Sequence, residues 1–352
     1  MCHLTGYIGN ENAIPIIMES LRIQEAIIGA QATGIAVLKD RKIKMEKDTG
    51  PIKFFEEKYN LVDYSANLGI GHTRYAIKNK TNAETNTKEK AHPFWNSDKK
   101  FVTMHNGTIS NYLDFVNQLE KIGYTFRSKS EYFDHEKNEK ILDFCDSEIF
   151  SYLLEEELKK NEDMKIAIKN VSKDILGHFA FVVLHPNYPD NIFIANWMQP
   201  MHIGYSKNSS FFTSFEIGFE LKNINFPWKF TPSKNSLIKL SRGKVTVEPL
   251  VEEREIPIFN YNDKLESVIF EALNNGKRDI AEIWTYISEI TEKIGLSKEE
   301  YEKLSTIDGY TFTPLIYQIL EKLESENKVI RKLEYIWEGG VENTPRYKFY
   351  IN

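Results

Sequence analysis

Cys2-His3-Leu4-Thr5-Gly6-Tyr7-Ile8-Gly9 opens the chain, and the reading of Cys2 decides the fold class. Initiator methionine is trimmed when the second residue is small, so the mature chain is expected to begin with Cys2. A terminal cysteine carries its own base. An α-amine titrates near ~8 and a thiol near ~8.5, so the neutral amine can take the thiol proton, directly or through a water. Many chains begin Met-Cys without using it, and three further segments bear on the choice. Gly69-Ile70-Gly71-His72-Thr73-Arg74-Tyr75-Ala76 reads as a glycine-bounded turn presenting one arginine, which suits bidentate capture of a carboxylate. An ordinary surface arginine is the plainer alternative. His105-Asn106-Gly107-Thr108 follows the apolar strand 101–104, so the Asn106 side chain beside the unhindered Gly107 amide offers two donors to one oxyanion. A simple Asn-Gly turn is the alternative there. Cys145-Asp146-Ser147-Glu148 opens a helix, where Asp146 reads either as an N-cap or as the receiver of an α-ammonium group.

The surrounding chain has 352 residues, enough for two domains, and its 41% hydrophobic and 13% aromatic content argues for a large core. A net charge of −6 argues against nucleic acid as the main partner, and two cysteines exclude a disulfide-stapled secreted fold. No apolar run approaches the ~18–20 residues of a membrane helix, and no basic region followed by an apolar stretch marks a signal peptide. The expectation is a cytoplasmic protein without a membrane partner. The eight histidines lack metal-ligand spacing, so neither metal nor cofactor is expected, and His92 and His105 read as structural.

Over residues 1–250, short β-branched and aromatic runs at 34–38, 101–104, 179–184 and 192–195 read as buried strands. Helical spacing appears at 14–26, 109–122 and 146–160. Strands mixed with helices but without regular βαβ alternation point to an α+β layered fold. A linker is expected over 251–262. Beyond it, helical patterns at 265–273, 280–294 and 313–323 precede two strand-like runs, 328–335 and 346–351, around a hairpin turn at 338–345. That order suggests a winged-helix-like domain over 263–352.

Seven segments, in this order, resemble the class II glutamine amidotransferases, the N-terminal-nucleophile glutaminases, and among them the glutaminase domain of glucosamine-6-phosphate synthase. They are Cys2 with Gly6-Tyr7-Ile8-Gly9, Thr33-Gly34-Ile35-Ala36-Val37, Gly71-His72-Thr73-Arg74, Ala91-His92-Pro93-Phe94, His105-Asn106-Gly107-Thr108-Ile109, Asp146-Ser147-Glu148 and Gly177-His178-Phe179-Ala180. The resemblance implies an αββα sandwich of two antiparallel sheets, with residues 1–250 as the glutaminase domain. It also implies that Cys2 attacks the γ-amide of glutamine, that Asn106 and the Gly107 amide form the oxyanion hole, and that Arg74 and Asp146 hold the substrate's α-carboxylate and α-ammonium. Tyr75 joins them as a substrate-binding residue.

Two departures from the family pattern stand out. Ile28-Gly29-Ala30-Gln31-Ala32-Thr33-Gly34 lacks the Arg and Asp usual near the first strand. Tyr75-Ala76-Ile77-Lys78-Asn79 replaces the Trp-Ala-Thr-His-Gly loop that closes over glutamine. The segment 127–144 is longer than in compact members. No acceptor domain is recognised, so ammonia is released, passed to a separate acceptor protein or without further use, and an oligomer is left open. Residues 260–352 hold 12 Lys and Arg against 17 Asp and Glu, which favours a protein contact over nucleic acid, although Lys328, Arg331, Lys332, Arg346 and Lys348 cluster on the hairpin. The aromatics Trp337, Tyr347, Phe349 and Tyr350 there read as hairpin packing. The rival reading is a non-enzymatic glutamine sensor whose tail recruits a partner or DNA.

Overall fold

The computed structural model describes residues 2–75, 86–134, 138–259, 263–338 and 340–352. Two antiparallel sheets lie face to face. In chain order the elements are β1 (His3–Ile8), α1 (Ala13–Ile28), β2 (Ala32–Lys39), β3 (Lys42–Thr49), α2 (Ile52–Lys58), β4 (Leu68–Arg74), β5 (Phe94–Trp95), β6 (Val102–Ile109), α3 (Tyr112–Lys121), β7 (Ser130–Asp134), β8 (Glu139–Asp143), α4 (Asp146–Lys160) and α5 (Met164–Asp174). They continue with β9 (Gly177–Leu184), β10 (Ile192–Trp197), β11 (His202–Tyr205), β12 (Ser210–Thr213), β13 (Trp228–Phe230), β14 (Asn235–Ser241) and β15 (Lys244–Pro249). One sheet runs β13-β11-β12-β1-β4-β2-β3 and the other β15-β14-β10-β9-β6-β5.

Period-2 alternation sorts the side chains into layers. On β9, Ala180, Val182 and Leu184 point between the sheets, while Phe179, Phe181 and Val183 point at α4 and α5. On the other sheet, Leu4 and Ile8 face inward and Tyr7 faces α1. Helices therefore cover both outer faces and the fold is the expected α+β sandwich. The helix expected over 109–122 begins only at Tyr112, because Ile109 still pairs with Gly177 as the last residue of β6.

The turn expected at 69–76 falls mostly on a strand, and the alternative turn at 105–108 falls wholly on one. Residues 69–74 are not a turn but most of β4, paired with β1 and β2 in the middle of its sheet. The glycines serve packing instead: a Cβ on Gly71 would stand 2.4 Å from Ile17 Cγ2 and 2.9 Å from Leu21 Cδ1, so their absence lets α1 lie close on the sheet. His105-Asn106-Gly107-Thr108 likewise continues β6 and pairs with β9, Asn106 opposite Ala180 and Gly107 opposite Phe179. The long 127–144 segment folds into its own β7–β8 hairpin, anchored by the buried Lys90 ammonium on Asp143 and, at 2.8 Å, on Ser130 Oγ.

The C-terminal part contains α6 (Asp263–Asn274), α7 (Ile280–Glu289), α8 (Lys298–Glu302), α9 (Thr313–Ser325) and the hairpin β16 (Val329–Glu338) and β17 (Val341–Ile351). The strands run further than expected. Glu338 already pairs with Val341, so residues 342–345 are strand rather than turn, and the buried Arg346–Glu338 ion pair ties the two strands together near that end. The helices are not a detached tail. Their core of Leu265, Ile283, Ile316 and Phe349 takes in Ile27 and Ile28 at the end of α1, with Phe215. In the expected linker, Arg254 donates to the carbonyls of Lys173 (3.0 Å) and Ile175 (3.1 Å) and lies over the Trp197 ring. Residues 260–262 of it lie outside the described residues.

Four of the five clustered basic residues are paired with carboxylates, and Lys332 lies over the Tyr350 ring. Lys328 pairs with Glu326, Arg331 with Glu324, Arg346 with Glu338, and Lys348 with Asp279 and Glu282. Among the aromatics Phe349 is fully buried, but Trp337 is 63% exposed, so packing accounts for only part of that series. Among the described residues no helix is long and apolar enough to cross a membrane.

Candidate active site

Cys2 precedes β1 with the same parity as Leu4, and Asn106 shares the parity of Met104, so both come to one end of the sandwich between the sheets. The Cys2 nitrogen, which becomes the α-amine once Met1 is removed, donates to Asn106 Oδ1 at 2.9 Å. Asn106 is fully buried and its Nδ2 has no partner, so one donor of that side chain remains unused. Tyr75 brackets the sulfur with its backbone: its N–H donates to Cys2 Sγ at 3.4 Å, and its carbonyl lies 3.8 Å from that sulfur. Gly107 has φ +139°, and a Cβ there would sit 2.0 Å from the His178 carbonyl oxygen, so strand pairing at this point requires glycine.

A cavity of about 260 Å³ opens on Cys2 and is lined by Arg74, Tyr75, Gly107 and Asp146 among others. Arg74 ends β4 and donates through Nη1 to Asn86 Oδ1 at 3.1 Å; Asn86 is itself held by the Gln31 carbonyl at 2.7 Å. Asp146 is not the N-cap of α4. Cys145 occupies that position, and Asp146 accepts from the Ile109 N–H at 2.8 Å through Oδ2. The structure thus brings Cys2, Arg74, Tyr75, Asn106, Gly107 and Asp146 to one place. Residues 76–79, part of the second departure noted in the sequence, lie outside the described residues.

Residues that sequence reasoning left without roles hold this arrangement. Ser147 Oγ meets His105 Nδ1 at 2.8 Å, and the His105 carbonyl lies 3.1 Å from His72 Nε2. Glu148 accepts from the N–H groups of Arg127 (3.1 Å) and Ser128 (2.9 Å) and from the Tyr152 hydroxyl (2.7 Å), fixing the start of the extra hairpin. Their run beside Asp146 at a helix start was the available signal. Among the described residues no three His, Cys, Asp or Glu side chains converge as a metal site requires.

Burial dominates the electrostatics. It pushes the Cys145 thiol up, which keeps the second cysteine protonated. Burial also raises the Tyr75 phenol to about 12, with nearby Glu338 adding and Arg346 opposing. His3, His72, His92 and His105 are all fully enclosed and held below 6.5 by burial, His3 down to about 3. Although His105 Nδ1 is 3.9 Å from Asp146 Oδ1, its neutral ring makes that contact no ion pair.

A stability consequence follows from those four depressed values. Above pH 6.5 folded and unfolded histidines are equally neutral. Below it the unfolded chain binds protons that the folded chain refuses, so each histidine removes up to ~1.4 kcal/mol per pH unit as pH falls toward its folded value. Glu25, pushed up to about 7 by burial, works in the opposite sense and offsets about one of them. Thermal melts are expected to show Tm falling steeply from pH 6.5 to 5. A flat Tm across that range would mean that the rings are hydrated or already charged.

Residues 72–219 match the glutamine amidotransferase domain family. The chain is similar to glutamine–fructose-6-phosphate aminotransferase (isomerizing) of Pyrococcus horikoshii, 33% identical over 217 residues, which is 61% of this chain and 32% of that protein. It is also similar to the protein of the same name from Aquifex aeolicus, 30% identical over 214 residues, again 61% and 32%. The chain spans about a third of the length of the curated relatives it matches. Among solved structures, glutamine phosphoribosylpyrophosphate amidotransferase from B. subtilis, complexed with ADP and GMP, has a TM-score of 0.57 at 19% identity, covering 77% of this chain and 58% of that one. A structure described as the allosteric regulatory enzyme of purine biosynthesis gives 0.58 at 18% identity, covering 84% and 64%. At such identities the likeness is one of fold.

Proposed function

Because the chain carries a class II glutamine amidotransferase domain, similar to the glutaminase domain of glucosamine-6-phosphate synthase, we propose that it hydrolyses the γ-amide of glutamine with Cys2 as nucleophile. The observation that carries this reading is the pairing of the Cys2 nitrogen with Asn106 Oδ1, which leaves Asn106 Nδ2 buried without a partner. After removal of Met1 the α-amine takes the thiol proton. The thiolate adds to the amide carbon, and Asn106 Nδ2 with the Gly107 N–H receives the developing oxyanion. The proton returns to the departing ammonia, and water then releases glutamate from the γ-glutamyl thioester.

Arg74 and Asp146 orient the substrate in this account. Arg74, steadied by Asn86, receives the α-carboxylate. Asp146 accepts from the Ile109 N–H through Oδ2 and from Ser147 Oγ through Oδ1 at 3.3 Å, and the lone pair left on Oδ1 receives the α-ammonium. Tyr75 acts through its backbone on the sulfur and closes the substrate cavity. Replacing Arg74 with alanine is expected to raise KM for glutamine about 100-fold, the ~2–3 kcal/mol of a charge-assisted pair, with a smaller fall in kcat. Steady-state kinetics on L-glutamine, read as glutamate and ammonia in equal amounts, test both the activity and this assignment. An unchanged KM would remove Arg74 from the site.

For the rest of the chain we propose a glutaminase domain over 1–250, a linker over 251–262 and a winged-helix-like domain over 263–352. The helix order ending in a hairpin supports the last. The pairing of its basic residues with carboxylates supports a protein rather than a nucleic-acid contact. Both cysteines are free, which supports a reducing, cytoplasmic setting.

A further inference from the structure

Cys2 stands at the meeting of two cavities. Besides the one holding Arg74 and Asp146, a second of about 260 Å³ opens on Cys2, Asn106 and Gly107, and its far wall comes from the C-terminal helices. Trp284 of α7 and Tyr310 and Phe312, just before α9, contribute aromatic faces. No Lys, Arg, Asp or Glu is among its described lining residues. His178, which also lines it, is held to about 3 by its surroundings, chiefly through burial, and so is neutral. An anionic acceptor would shed its hydration there without meeting a cation. Gln199 engages His178 through its amide nitrogen, while its Oε1 is buried without a partner, an acceptor waiting for an N–H donor.

We propose that this second cavity is an acceptor site for an uncharged amine with an aromatic or apolar body, which takes the γ-glutamyl group directly from Cys2. The inference rests on the glutaminase reading, since it needs the thioester. The amine lone pair attacks the thioester carbonyl, the C–N bond forms and the C–S bond breaks. The electron pair returns to sulfur, and the amine proton passes through the Cys2 α-amine to the thiolate. The products are a γ-glutamyl amide and the free enzyme, with no further reagent. Contact of the cavity with both Cys2 and the oxyanion residues puts an occupant within reach of the reacting carbon, and the C-terminal helices then decide which amines fit.

The test incubates the full chain with L-glutamine and aniline, and measures γ-glutamyl anilide and glutamate by mass spectrometry. Anilide is expected to form with saturable dependence on aniline, at least tenfold above the amide formed from methylamine, which is charged at neutral pH. Ala281→Trp, filling the cavity from α7, is expected to lower the anilide-to-glutamate ratio at least fivefold. Should that variant fail to melt cooperatively, Trp284→Ala at a partly exposed position decides instead, through at least a fivefold higher half-saturating aniline concentration. Glutamate without anilide, or anilide that rises linearly with aniline and is indifferent to the substitution, overturns the acceptor site while leaving the glutaminase intact. Neither product, together with no reaction of Cys2 with a glutamine-analogue electrophile, overturns the glutaminase reading and the acceptor site with it.

Discussion

Cys2→Ala is expected to abolish glutamate release, by at least ~10³-fold, while the fold and the affinity for glutamine persist. The size of the effect follows from the absence of a substitute among the described residues around that cavity. Cys145 lines the same space, but burial raises its thiol and its sulfur lies 3.9 Å from the Lys90 carbonyl. Water acting without a nucleophile would retain only the help of the oxyanion donors. Alanine fits wherever cysteine does, so a thermal melt close to the parent's separates lost chemistry from lost structure. Retained turnover in this variant would remove the nucleophile from the account. Glutamine binding without turnover in the parent protein would favour a sensor.

Gly107→Ala is expected to cost both stability and activity. The new methyl would stand 2.0 Å from the His178 carbonyl oxygen and 2.8 Å from Phe179 Cα, both backbone atoms of β9, a strand buried on both faces. A flexible side chain could swing away, but paired strands cannot. With φ at +139° the substitution adds backbone strain as well. Together these suggest a loss of ~3 kcal/mol or more, read as a Tm lower by ~5 °C or more, and turnover reduced ~10²-fold as the oxyanion donor shifts. Gly276→Ala is the matched comparison. Its φ is +79° and a Cβ would meet nothing within 4 Å, so only the conformational cost of ~1 kcal/mol applies. Equal destabilisation at the two positions would show that the clash with β9 is not real.

Much of this arrangement was legible in the sequence, and the misreadings have physical causes. The strands at 179–184 and 192–195 and the helix at 146–160 are long enough, or apolar enough on the proper period, to declare themselves. Glycine misled where it serves packing rather than turning. Gly69 and Gly71 admit α1 to the face of β4, and Gly107 admits the β9 backbone, yet each looks locally like a break. Asp146 looked like a cap because it begins the helix by one residue; only the Ile109 N–H, 37 positions earlier, shows where its oxygen goes. The residues that the fold gathers around Cys2 could be named from the sequence because their types suggest chemistry. Trp284, Tyr310 and Phe312 were not, since nothing in a helical pattern reveals that it will close over a cysteine some 280 positions away. The basic hairpin residues were visible, but not carboxylate partners such as Glu282 on α7 and Glu324 on α9.

Intact-mass spectrometry of the purified protein, before and after treatment with a diazo-ketone analogue of glutamine, tests the central claim most directly. The account predicts a chain lacking Met1 that gains one adduct, carried by Cys2 after proteolysis and reduced by excess glutamine. A retained Met1, or a trimmed chain that takes no adduct, would contradict it, because the α-amine base or the reactive sulfur would then be missing.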